Sequence, residues 1–130
     1  KQNIGKIKGK KITVLGVAFK PNTDDIRDSM SIELIHRLIK SGAVVKIHDP
    51  KALDNARKIF DDNITYTDSI PSALKDSQCA IIMTKWKEYE RINNKTTKYM
   101  KKKFLIDTRR ILSDKNLRLK YYGLGLGQKT

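Results

Sequence analysis

Cysteine, histidine, paired carboxylates and clustered glycines are the residue types on which this chain of 130 residues could build chemistry. The single cysteine, Cys79, is a nucleophile by type, but it opens the apolar run Cys79 Ala80 Ile81 Ile82 Met83 with no histidine nearby, a setting in which thiols are buried and inert. One cysteine makes no internal disulfide, and with only His36 and His48 beside it the ligands for a zinc site are too few. His36 falls on an expected helix and His48 at an expected strand end, where both read as packing or surface residues rather than general bases. The pair Asp24 Asp25 suggests acid–base work or a cation site. In a turn that precedes a helix and contains Arg27, however, it reads as helix capping and loop-ordering ion pairs. Gly123, Gly125 and Gly127 alternate with no helix after them, which reads as a flexible end rather than a nucleotide fingerprint, and no Gly-Lys pair precedes Ser or Thr at P-loop spacing.

Charge gives a bias rather than a site. Twenty-eight Lys and Arg against fourteen Asp and Glu leave +14, a field that attracts phosphates, nucleic acid or acidic surfaces. The lysines are spread along the whole sequence and accompanied by many isoleucines, a pattern that fits codon bias and a solvated surface. Base-stacking aromatics are few, and Lys101 Lys102 Lys103, a tight basic cluster, precedes an apolar strand as a charged edge would. A basic nucleic-acid-binding module is therefore the alternative reading and not the preferred one. The length suits one domain and one core. No apolar run approaches the roughly 20 residues of a membrane span, and the opening Lys1 Gln2 Asn3 Ile4 Gly5 Lys6 is no secretory signal, so the chain reads as cytoplasmic. Residues 1–10 form a basic lead-in without apolar pattern, which suggests a piece of a longer polypeptide.

The elements that must position any site follow from periodicity. Residues 12–18 are short, β-branched and continuously apolar, as a strand buried on both faces must be. Asp28 or Ser29 offers an N-cap, Ile32, Leu34, Ile35, Leu38 and Ile39 repeat at helical spacing, and Gly42 ends the helix. A second strand at 44–48 ends in Asp49 Pro50, and a second helix spans 52–60. A short strand at 64–66, a short helix from Ser69 or Ile70 to Asp76 with Pro71 in its first turn, and an apolar strand at 79–84 come next. The polar stretch 85–102 is expected to be helical in two pieces, before strands at 104–107 and around 121–123. Strands regularly separated by helices predict an α/β fold: a doubly wound, mainly parallel, Rossmann-like sheet with helices on both faces in a single domain.

Ligands of such sheets bind at the carboxyl ends of the strands, which directs attention to the loops after Ala18, His48, Thr84 and Asp107. The first is long where a dinucleotide-binding domain has a tight turn, and it retains only Gly16 of the spaced glycines that bring backbone against a pyrophosphate. The run Val14 Leu15 Gly16 Val17 Ala18 Phe19 Lys20 Pro21 Asn22 Thr23 Asp24 Asp25 Ile26 Arg27 Asp28 Ser29 resembles the signature that opens the C-terminal, UDP-binding domain of the UDP-glucose/GDP-mannose dehydrogenase family, particularly its UDP-glucose 6-dehydrogenases. Three further stretches agree in order: His48 Asp49 Pro50, Met83 Thr84 Lys85 Trp86, and Ile106 Asp107 Thr108 Arg109 Arg110. The likeness extends over residues 10–127, so that 11–127 is expected to be the nucleotide-sugar-binding domain and 128–130 a tail.

The resemblance implies the UDP-sugar-binding part of an oxidoreductase that converts the sugar C6 alcohol to a carboxylate in two NAD-dependent steps, UDP-glucose giving UDP-glucuronate. In the family, NAD is bound by an N-terminal domain, and a helical dimerisation segment carries the nucleophilic cysteine. This chain would then bind UDP-sugar without catalysing, hold no NAD itself, have the other domains and a homo-oligomer as partners, and touch neither membrane nor nucleic acid. Phe19 and Lys20 match the family's Phe-Lys pair that contacts the nucleotide sugar, and Arg109 matches its late arginine, a planar fork suited to a diphosphate. Arg110 is the neighbouring alternative to Arg109. Asp24, Asp25 and Arg27 belong to the same signature as loop support, and Met30 stands where the signature usually has proline. Trp86 either borders the pocket or packs at a domain seam. Members that use UDP-N-acetylglucosamine, UDP-N-acetylmannosamine or GDP-mannose share this domain, and the sequence does not choose among the sugars.

Overall fold

A computed structural model describes residues 7–27, 29–113 and 117–123. It contains strand β1 (Lys11–Leu15), helix α1 (Met30–Lys40), β2 (Val44–His48), α2 (Leu53–Phe60), β3 (Thr65–Thr67), α3 (Ile70–Leu74), β4 (Cys79–Ile82), β5 (Phe104–Asp107) and β6 (Lys120–Gly123). The strands form one six-stranded sheet in the order β3-β2-β1-β4-β5-β6, and every pairing is parallel. The order reverses between β1 and β4, which is the switch point at which sheets of this kind open a crevice.

Alternation along the central strands assigns the layers. Thr13 donates its hydroxyl to Ala73 O at 2.6 Å and meets Ser77 Oγ, while Lys46, its register partner on β2, reaches Ser72 O and Lys75 O, each at 3.0 Å. One face of the sheet therefore carries α3. Ile12, Val14, Val45 and Ile47 point to the other face, where right-handed crossovers put α1 and α2. Helix α1 starts where Ser29 Oγ accepts the amide of Ser31, seals the core with Ile35 and Leu38, and stops before Gly42 at φ 87°. Asp28, the other cap considered from sequence, lies outside the described residues, as do Gly125 and Gly127.

Several boundaries differ from the sequence reading: β4 ends at Ile82 rather than at residue 84, α3 at Leu74 rather than Asp76, and β3 lies one residue later than expected. β1 ends at Leu15 and not at Ala18, because Gly16 turns the chain at φ 99° and the next two amides leave the ladder. The stretch 85–102 holds a 3₁₀ helix at Lys87–Arg91 followed by turns rather than two helical pieces. Local side chains compete with the helix there: Asn93 Oδ1 accepts from Lys95 N and Thr96 N at 2.9 and 3.1 Å, and Thr96 Oγ1 accepts from Asn93 N at 2.8 Å. Among the described residues no helix is long and apolar enough to cross a membrane.

Candidate functional site

The loop that leaves β1 is built by backbone hydrogen bonds before any of its side chains reach outward. Gly16 sits at φ 99°, and a Cβ there would lie 2.5 Å from Thr84 Cβ and 2.8 Å from Thr84 N, so only glycine lets the ends of β1 and β4 approach. Val17 N and Ala18 N donate to Asp49 Oδ2 at 2.8 and 3.0 Å, and Thr84 Oγ1 donates to Ala18 O at 2.9 Å. Phe19 N then donates to Asp25 O at 2.6 Å, which closes the loop on itself. Asp25 Oδ1 accepts Arg27 N and Nε at 2.9 and 3.0 Å, and Asp25 Oδ2 accepts Arg27 Nη2 at 2.9 Å. These bonds, with the charges of Arg27 and Lys20 adding in the same direction, lower the Asp25 carboxyl to about 2. Asn55 Nδ2 of α2 holds Asp24 O at 2.8 Å. The exposed side chains of the loop include Phe19, at 54%, and Lys20.

The loop that leaves β5 follows the same plan. Asp107, buried, accepts Arg109 N on Oδ1 at 3.1 Å, and Leu112 N and the Tyr121 hydroxyl on Oδ2 at 2.7 and 2.8 Å. Thr108 donates its amide and its hydroxyl to Ile82 O at 3.1 and 2.6 Å. Arg110, at φ 54°, sends Nη2 to Gly123 O at 3.3 Å toward the β6 edge, whereas Arg109 is half-buried at the rim. With all strands parallel, the Lys20 and Arg109 loops leave the same rim of the sheet, separated by β4 alone. Two strand spacings are roughly 10 Å of backbone. The contacts of Thr84 with Ala18 and of Thr108 with Ile82 tie the two loops through β4.

Residues 13–114 match the UDP-glucose/GDP-mannose dehydrogenase family, UDP binding domain. The chain belongs to this family. It is 43% identical over 105 residues to the UDP-glucose 6-dehydrogenase AglM of Haloferax volcanii, covering 81% of this chain and 24% of that protein. Against the UDP-glucose 6-dehydrogenase TuaD of Bacillus subtilis it is 37% identical over 113 residues, covering 85% and 24%. The structure of a UDP-glucose dehydrogenase from Pyrobaculum islandicum superposes with a TM-score of 0.81 at 34% identity, over 94% of this chain and 27% of that one. The chain thus spans about a quarter of the length of these relatives.

Within this family domain, Asp49, read from sequence only as part of the His48 Asp49 Pro50 stretch, gathers the most hydrogen bonds onto one side chain among the described residues. Besides the two amides after Gly16 it accepts Trp86 Nε1 on Oδ2 at 3.1 Å, and Lys51 N and Ala52 N on Oδ1 at 2.9 and 2.8 Å. Three strand-end loops meet on one buried carboxylate. The available signal was an Asp-Pro pair directly after a strand, which marks a turn without naming the partners. Trp86 is 3% exposed, its indole N–H held by Asp49. Beside it, the Tyr89 hydroxyl donates to His48 O at 3.1 Å and meets His48 Nδ1 at 2.9 Å. Burial pulls the His48 imidazole below its ordinary value and pushes Tyr89 well above its own. Cys79 is buried and pushed up to about 11, a resting thiol at the far end of β4 from the rim. His36 packs against Phe60 in a tilted arrangement, ring centroids 4.8 Å apart and planes at 53°. The described residues contain no group of His, Cys, Asp or Glu able to hold a metal.

The turn after β1 does not fit a dinucleotide. It has one glycine, α1 begins only at Met30, and the amides that would face a pyrophosphate are taken by Asp49.

Proposed function

We propose that this chain is the substrate-binding domain of a UDP-glucose 6-dehydrogenase-like oxidoreductase, with Phe19, Lys20 and Arg109 as the contacts to the nucleotide sugar. Lys20 and Arg109 neutralise the diphosphate, Arg109 as a fork and Lys20 as a point charge, while the exposed Phe19 ring gives an apolar wall. Asp24, Asp25, Arg27 and Trp86 order the first loop, and Arg110 braces the second against β6. NAD, the nucleophile and the dimer contacts belong to parts of the polypeptide outside this chain, the assembly is a homo-oligomer, and its compartment is the cytoplasm.

The observation that supports this reading is the common rim: two loops carrying exposed or half-buried cations, one strand apart, each anchored by its own buried carboxylate. Calorimetry with UDP-glucose on the polypeptide joining this chain to its NAD and dimerisation domains tests it. A charge-assisted hydrogen bond contributes about 1.5–3 kcal/mol, so Lys20→Ala and Arg109→Ala each weaken binding roughly ten- to a hundredfold. Arg109→Lys recovers only part of the loss, because the fork is gone. Affinity unchanged in both alanine variants refutes the assignment, and a panel of UDP-glucose, UDP-N-acetylmannosamine and GDP-mannose reads the sugar preference.

A further inference from the structure

In a sheet with the order 3-2-1-4-5-6, the amides just past β1 are where a dinucleotide-binding domain receives its pyrophosphate, and an acidic residue at the end of β2 meets the ribose. This chain keeps both features and turns them on each other. Val17 N and Ala18 N, consecutive along the chain, converge on a single oxygen of Asp49 at 2.8 and 3.0 Å, the arrangement by which backbone amides form an anion nest. Asp49 directly follows β2. Its carboxylate is held by five N–H donors in all, with the Trp86 indole closing the side toward β4, and the residue is 2% exposed. The anion in the nest is therefore part of the protein and is shielded from exchange with solvent anions.

We propose that Asp49 is an internal anion that occupies the phosphate nest of β1 and determines the nucleotide specificity of the domain. It closes the backbone site to a dinucleotide pyrophosphate and leaves the diphosphate of a nucleotide sugar to the side-chain cations Lys20 and Arg109, a second half that rests on the function proposed above. The geometry gives both consequences one cause. With its amides filled from within, the turn has no reason to stay short, and the chain runs on through the long loop that carries Phe19 and Lys20 outward before α1 starts at Met30. A buried anion also suits the place better than a neutral group, because charge-assisted bonds to several converging donors are stronger and shorter than neutral ones.

Replacing Asp49 by alanine empties the nest while leaving its donors in place. In the Asp49→Ala chain, the ¹H–¹⁵N signals of Val17 and Ala18 are expected to shift saturably with sodium acetate, which replaces the lost carboxylate, and with inorganic pyrophosphate, the ligand the native residue excludes. In the native chain the same signals stay still, so that pyrophosphate affinity at this turn rises by at least about tenfold in the variant. A folded Asp49→Ala chain whose two amides answer neither anion, or a native chain whose amides answer pyrophosphate equally well, overturns the proposal. If the variant does not fold in chloride, acetate at equal ionic strength is expected to restore the circular dichroism of the native fold and raise its thermal midpoint, since an anion bound only by the folded state stabilises it. No restoration by acetate or pyrophosphate overturns the proposal equally. UDP-glucose is not a probe here, so failure of the nucleotide-sugar reading shows separately, in the Lys20 and Arg109 calorimetry.

Discussion

Replacing Gly16 by alanine tests how the ends of β1 and β4 set the binding rim. The new Cβ lands 2.5 Å from Thr84 Cβ, 2.6 Å from Thr84 Oγ1 and 2.8 Å from Thr84 N, closer than real Cβ contacts come. Thr84 cannot yield easily, because the residue before it is pinned by Met83 N to Leu15 O at 2.8 Å and its own hydroxyl holds Ala18 O. Alanine at positive φ costs about 1–2 kcal/mol, and forced overpacking adds about 1–3 kcal/mol. Gly9→Ala is the matched control: φ is 78° there and nothing lies within 4 Å of the added atom, so it carries the conformational cost alone. The difference between the two variants, about 1–3 kcal/mol with the upper end favoured by the backbone clash, is the steric part. Against a total of roughly 6–20 kcal/mol for a chain of this size, that is a large fraction and lowers the thermal midpoint by several degrees beyond the control. Urea unfolding followed by circular dichroism, with the slopes compared, measures it. Equal midpoints for Gly16→Ala and Gly9→Ala would show that Thr84 does not confine this turn.

Two further outcomes follow from the buried groups. The His48 imidazole is held below its ordinary value, burial outweighing the opposing charges of Asp49, Glu88 and Asp68, so the unfolded chain binds the extra proton first. Its contribution to stability is present above the unfolded value near 6.5 and is lost as pH falls toward the folded value; a His48→Gln variant is expected to show a shallower decline in unfolding free energy below pH 6.5, and an identical decline speaks against this role. Cys79 at about 11 is thiolate in roughly one molecule per thousand at pH 8 and is buried as well, so Ellman's reagent should react only at the rate of unfolding; rapid reaction of the native chain would contradict its placement.

The local order of this protein was legible in its sequence wherever short-range physics decides. The apolar stretch read as a strand at 79–84 is one, over Cys79–Ile82, buried on both faces; Ser29, one of the two caps offered before the helical repeat, caps it, and Gly42 stands after it as the stop. Alternation of strands and helices was enough to reach a parallel sheet. The loops that carry Lys20 and Arg109 were singled out because strand ends are where such sheets bind ligands, and the resemblance carried by four ordered motifs supplied the family.

Tertiary structure decided what long-range hydrogen bonds decide. Nothing near Asp49 in the sequence reveals that its carboxylate reaches back 32 residues to Val17 N and forward 37 to Trp86 Nε1, or that β1 stops at Gly16 because of Thr84, far along the chain. The stretch 85–102 has a composition that permits helix, and it turned instead because Asn93 and its neighbouring threonines satisfied the backbone locally. Propensity and periodicity act over a few residues and are written in the sequence. The fate of a buried charge depends on which distant donors the fold brings to it, and that is settled only when the strands have taken their places.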